Sequence, residues 1–152
     1  DNKNPDYIII GDIGGKWEFN LINSIFNQVM NGSRIIALHK GRYFLTDCGL
    51  QIDTGAFIKG IEYATGTISK SIGKPNKDFF SIAIESFKCK PNEIAMIGDD
   101  LVNDIYGAQK NDIIGILVKT GKFMSSDLKK NDIIPDYIID SIKDLESLLN
   151  VK

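Results

Sequence analysis

The run Glu93-Ile-Ala-Met-Ile-Gly-Asp-Asp-Leu-Val-Asn-Asp104 constrains this chain more than any other segment. Ile94 to Ile97 form an unbroken apolar stretch of the kind buried in a parallel sheet, and Gly98 lets the backbone turn at its carboxyl end. Asp99 and Asp100 follow at the strand exit, where open α/β sheets bind their ligands. Asp104 stands about one helical turn further on, facing the same mouth. Carboxylates so placed suit a hard cation, which makes Asp99, Asp100 and Asp104 candidate metal ligands. A plainer reading stands beside this one: Asp99 or Asp100 caps the helix that begins near Leu101 and satisfies its first amides. Three acids exceed what a cap requires.

Strand and helix patterns alternate along the rest of the chain. Tyr7 to Ile10 reads as a strand and Arg34 to Leu38 as another. Between them Phe19 to Met30 reads as an amphipathic helix with Phe19, Ile22, Phe26, Val29 and Met30 on one side. Parallel strands joined by a helix need a right-handed crossover, so this part predicts a small α/β layer of its own. Tyr43 to Leu45 with Asp47-Cys-Gly49 predicts a short strand and turn, and Thr54 to Ala64 a helix that Gly60 weakens. From Thr65 to Pro75 the residues become polar and turn-rich, which marks a hinge. Beyond it the pattern predicts helices over Asn76 to Phe87, Leu101 to Asn111 and Ser141 to Leu149, the last with Ile142, Leu145, Leu148 and Leu149 turned inward. Strands are predicted at Ile94, over Ile114 to Val118 and over Pro135 to Ile139. The fold class is α/β.

Charge excludes several partners. Lys and Arg total 18 against 20 Asp and Glu, and the basic residues form no stripe, so neither nucleic acid nor a membrane surface is an expected partner. No apolar run approaches the roughly 20 residues that span a bilayer, and a cytoplasmic location is expected. Cys48 and Cys89 lack metal or disulfide-scaffold spacing and are expected to be small, partly buried residues. With His39 the single histidine, a multi-histidine metal cluster within the chain is excluded and serine–histidine catalysis would rest on that residue. The chain opens at Asp1, directly before a core-like strand, so further polypeptide upstream is expected.

Other residues carry chemistry more weakly. In Gly73-Lys74-Pro75, Pro75 fits at or near the first position of the following helix and Lys74 is held at a rim where it can neutralise an anion; a solvated turn lysine is the alternative. Lys119-Thr-Gly-Lys122 occupies another strand-end loop that could line the same crevice. Gly11 to Gly15 matches neither the dinucleotide nor the Walker spacing and reads as a loop. His39, Arg42 and Tyr43 gather donors and an aromatic ring at a strand end, as candidate contacts to a polar substrate or as ordinary surface packing.

Taken together, Ile35 to Tyr43, Gly60 to Ala64, Gly73-Lys-Pro75, Met96 to Asp100 with Asp104, Gly107-Ala-Gln109 and Gly115 to Lys122 resemble the haloacid-dehalogenase-type phosphatases, in the branch with a large α/β (C2-type) cap. The resemblance runs almost end to end. It implies hydrolysis of a small phosphorylated substrate, a phosphoric monoester, phosphoramidate or pyrophosphate, through an aspartyl-phosphate with Mg2+ as cofactor. A first-strand Asp attacks phosphorus in such enzymes and a second Asp two residues later acts as acid and base. Lys74 matches the lysine that steadies the nucleophile and phosphoryl group, Asp99 matches the magnesium ligand, and Asp100 with Asp104 would support that site.

One departure is decisive. The family's opening DxD strand and its second-motif Ser or Thr would lie upstream of Asp1, and Asp12-Ile-Gly14 does not replace them because it has one acid and aligns with a cap segment. The resemblance therefore implies that residues 1–68 are the later part of the cap and residues 69–152 the later half of a Rossmann-like core, a C-terminal portion inactive alone. Unpaired strands would then favour homo-oligomers or association with the missing N-terminal segment. The alternative is a non-catalytic α/β module that binds a divalent ion or a phosphoryl ligand.

Overall fold

A computed structural model describes residues 4–130 and 132–149. The chain divides into two compact units, Asp1–Gly73 and Lys74–Lys152.

In the first unit, β1 (Tyr7–Ile10), α1 (Phe19–Met30) and β2 (Arg34–Ala37) form a parallel βαβ crossover, with Tyr7 opposite Arg34 and Ile10 opposite Ala37. The buried side of α1 differs from the expected one. Ile25 and Val29 enter the core with Ile22 beside them, at spacings of three and four residues, whereas Phe19 and Met30 are 77% and 60% exposed. Met30 is turned about 100° from Val29, away from that stripe. β3 (Tyr43–Thr46) pairs antiparallel with β4 (Gly49–Ile52), a strand the sequence hides because Leu50, Gln51 and Ile52 are all exposed. Helix α2 (Thr54–Thr65) passes through Gly60 unbroken and ends at Gly66, whose φ of 69° is the left-handed conformation that terminates helices. β5 (Lys70–Ser71), inside the stretch expected to be a hinge, adds in parallel to β2 and gives the order β1-β2-β5. The core gathers Ile10, Ile25, Ile35, Ala37, Ile58 and Ile61 from the strands and both helices. Cys48 in this unit and Cys89 in the second are both exposed, contrary to expectation, since each lies in a turn rather than under a helix.

In the second unit, Asn76 caps α3 (Lys77–Ser86) by accepting the Asp78 N–H at 2.8 Å, so Pro75 lies near the helix start, immediately before the cap. β6 (Ala95–Gly98) follows, then a π-helical turn over Leu101–Tyr106 that runs into α4 (Gly107–Gln109), in place of the regular helix expected there. β7 (Ile114–Val118), α5 (Ser125–Lys130), β8 (Tyr137–Ile139) and α6 (Leu145–Leu149) complete the unit. The three strands are parallel in the order β6-β7-β8. Leu117 packs with Leu101 and Ile105, while Ile116 and Val118 pack with Ile139, Leu145 and Leu148. Neighbouring residues of β7 thus face different covers, which is why its sequence is continuously apolar. Ile142 and Leu149, expected inward, are 58% and 70% exposed; Leu145 and Leu148 make the contact. Among the described residues no helix is long and apolar enough to cross a membrane.

Candidate active site

Because β6 and β7 are parallel, with Gly98 opposite Leu117, the loops after both strands leave at one end. Asp99 projects from the first loop, and its Oδ2 accepts the backbone N–H of Lys122 from the second at 2.7 Å. Gly121 makes this approach possible: its φ is 64°, and a Cβ there would overlap the Asp99 carboxylate. Asp100 caps the π-helical turn, with Oδ1 accepting the N–H groups of Val102 and Asn103, each at 3.0 Å. The capping reading therefore holds for Asp100. Its Oδ2 also takes the Asn103 side-chain amide and pairs with the Lys122 ammonium.

Asp104 is 4% exposed and fully engaged. Oδ1 accepts the Lys74 ammonium at 2.7 Å and Oδ2 accepts the Asp100 N–H at 3.1 Å. The wide turn sets this position, since the Asp100 carbonyl accepts from Asp104 at 2.9 Å and from Ile105 at 3.2 Å. Gly98 leaves the room, as a Cβ there would overlap the Asp104 side chain.

Burial raises the Asp100 carboxyl, but the Asn103 N–H, the Lys122 ammonium and the Asn103 side chain outweigh it and hold Asp100 below the usual carboxylate range. Burial likewise lowers Lys122, yet Asp100, with Asp99 and Asp104 further away, keeps it above the ordinary lysine value. At neutral pH Asp100 and Lys122 therefore stand as a charged pair.

The structure thus brings together Lys74, Asp99, Asp100 and Asp104 and adds Lys122, which the sequence suggested only as part of a crevice-lining loop. Lys119 of that loop instead pairs with Asp140 at an exposed edge, 2.7 Å away. The other three candidates lie in the first unit. His39 Nε2 is 3.0 Å from Asp53 Oδ1, which also accepts the Thr54 N–H at the start of α2. The Arg42 guanidinium lies 5.9 Å from the centre of the Tyr43 ring. In the Gly11 to Gly15 loop, Asp12 Oδ1 accepts the Gly14 N–H at 2.8 Å, a local turn.

Among the described residues no three His, Cys, Asp or Glu side chains converge as a preformed cation cage. Mg2+ is bound through one or two carboxylates with waters and substrate phosphates completing its shell, so the hard oxygen donors of Asp99 and Asp100 fit it.

Residues 71–145 match the family model described as HAD-hydrolase-like. Phospholysine phosphohistidine inorganic pyrophosphate phosphatase from Homo sapiens is 34% identical over 151 residues, 98% of this chain and 56% of that protein. This chain belongs to the HAD-like hydrolases. Haloacid dehalogenase-like hydrolase domain-containing protein 2 from Mus musculus is 40% identical over 128 residues, 84% of this HAD-like chain and 49% of its relative. A 4-nitrophenylphosphatase from Thermotoga maritima superimposes with a TM-score of 0.84 at 28% identity, over 97% of this chain and 56% of that one. The chain spans about half the length of the curated relatives it matches.

Proposed function

We propose that this HAD-like chain supplies the cation-binding and phosphoryl-stabilising half of a magnesium-dependent phosphatase of the cytoplasm, with residues 1–68 the later part of a C2-type cap and residues 69–152 the later half of the Rossmann-like core. The observation that carries this reading is the Lys74 ammonium held 2.7 Å from buried Asp104, at the strand end that bears Asp99 and Asp100. Phosphoryl transfer spreads negative charge over the equatorial oxygens, so its catalysis rests on positioning and on positive charge set in advance. Lys74 offers a fixed ammonium for that charge, and Asp104 keeps it aimed. Asp99, anchored by the Lys122 amide, and Asp100 are the proposed holders of Mg2+. When bound, the ion offsets the charge of the phosphoryl oxygens. His39, Arg42 and Tyr43 are proposed contacts to the leaving group of a small phosphorylated substrate, either a monoester or a phosphoramidate or pyrophosphate.

No Asp-x-Asp pair occurs in the 152 residues, so the attacking aspartate must come from elsewhere for an aspartyl-phosphate to form. Hydrolysis of p-nitrophenyl phosphate with Mg2+, followed for this chain and for a protein extended upstream through an Asp-x-Asp strand, tests the proposal. Turnover is expected in the longer protein alone, and Lys74→Met there should lower kcat by about 100-fold or more. Robust turnover by the 152-residue chain would overturn it. The missing Asp-x-Asp pair also favours a second reading, a non-catalytic module for a divalent ion or phosphoryl ligand. Binding of Mg2+ or inorganic phosphate with no turnover in the longer protein would support that reading.

A further inference from the structure

A cavity of about 280 Å3 opens in the first unit where the Gly14–Lys16 turn, the β3–β4 hairpin and the start of α2 meet. Three aromatic side chains line it, Trp17, Phe44 and Phe57, and the Trp17 and Phe57 rings stack with centres 4.6 Å apart. Asp12 is the one charged side chain on its wall among the described residues. One of its oxygens accepts the Gly14 N–H, which fixes the carboxylate at the rim. Thr54 also lines the cavity at 1% exposure, and its hydroxyl is buried with no hydrogen-bond partner among the described residues.

These features select a ligand. A buried hydroxyl without a partner is destabilising, and a polar atom brought beside it relieves that deficit. Aromatic rings with a carboxylate, and no basic side chain on the described wall, attract an organic cation through cation–π and ionic contacts. The small volume restricts the choice to a small molecule. We propose that this cavity binds a small amino alcohol: its ammonium group lies against the rings and Asp12, and its hydroxyl meets Thr54. The proposal stands apart from the phosphatase reading and survives that reading's failure.

Trp17 is the only tryptophan of the chain, so its fluorescence reports on this cavity. The probe is choline, titrated at constant ionic strength beside its neutral isostere, in which carbon replaces the quaternary nitrogen. A saturable change with choline is expected, with the isostere binding about tenfold more weakly or worse. Asp12→Asn and the near-isosteric Thr54→Val should each weaken choline about fivefold, with circular dichroism confirming the fold. Absence of saturation up to about 100 mM, equal binding of the isostere, or unchanged affinity in folded Asp12→Asn or Thr54→Val would each overturn the proposal. Should Asp12→Asn not fold, the isostere and Thr54→Val still decide.

Discussion

Asp100 divides its work between two oxygens, one holding the amides of Val102 and Asn103 and the other facing Lys122 and the Asn103 side chain. Asp100→Ala removes the cap and the carboxylate that pairs with the Lys122 ammonium, so a loss of about 2 kcal/mol is expected, the upper end of the capping range. Asp100→Asn keeps an acceptor for the amides and should lose about half as much, as read from urea denaturation of both variants. At Gly121, an alanine would collide with the Asp99 carboxylate and face a φ of 64°. Gly121→Ala should therefore weaken the proposed Mg2+ binding about tenfold in a calorimetric titration, the usual cost of disturbing an orienting partner. Asp99, Asp100 and Asp104 were legible beforehand because their signal is local, an apolar run, a glycine and acids at fixed spacing, whereas Lys74 stood out only through Gly73-Lys-Pro75 and the family resemblance, its partner Asp104 lying 30 positions later. Lys122 was not, since its partner lies 22 positions earlier and meets it only because β6 and β7 are neighbours.

Helix α2 is tied to its surroundings through Glu62, which is 7% exposed. Its Oε1 accepts the Lys40 ammonium at 2.6 Å, the Ser69 N–H at 2.9 Å and the Ser69 hydroxyl at 2.7 Å, while Oε2 pairs with Lys59 at 2.6 Å. Burial raises this carboxyl, but Lys40, Lys59 and Ser69 together lower it from 4.5 to about 2. The folded value lies below the unfolded one, so the contribution is complete above about pH 4.5 and is lost as pH falls towards about 2. Its size is on the order of 3 kcal/mol. Glu62→Gln should lower stability at neutral pH and flatten the acid side of the stability curve across that window, measured by urea denaturation at successive pH values. Among the elements, β1, α1 and β7 match their expected bounds residue for residue, because each is marked by a strong apolar signal, although α1 buries a different face from the one its pattern suggested. Strands β4 and β5 were invisible for a physical reason. They are short, largely exposed, and exist as strands only through partners, β3 for one and β2 for the other.

At the scale of the whole molecule, each unit carries its own buried clusters, Ile58 and Ile61 in the first and Phe80, Ile105 and Leu117 in the second. Among the described residues β6 pairs only with β7, so its outer edge presents unpaired backbone groups, and Ala95 on it is exposed. Such an edge invites another strand. We expect self-association that grows with concentration in light-scattering chromatography, and Ala95→Lys, which places a charge on that edge, should reduce it. A mass that stays monomeric at every concentration would contradict this. The anchor on Asp99 is a main-chain amide, a group that every amino acid except proline provides at position 122. Natural selection can therefore retune the electrical character of this locus by exchanging one side chain, while the carboxylate opposite keeps its tether through every generation.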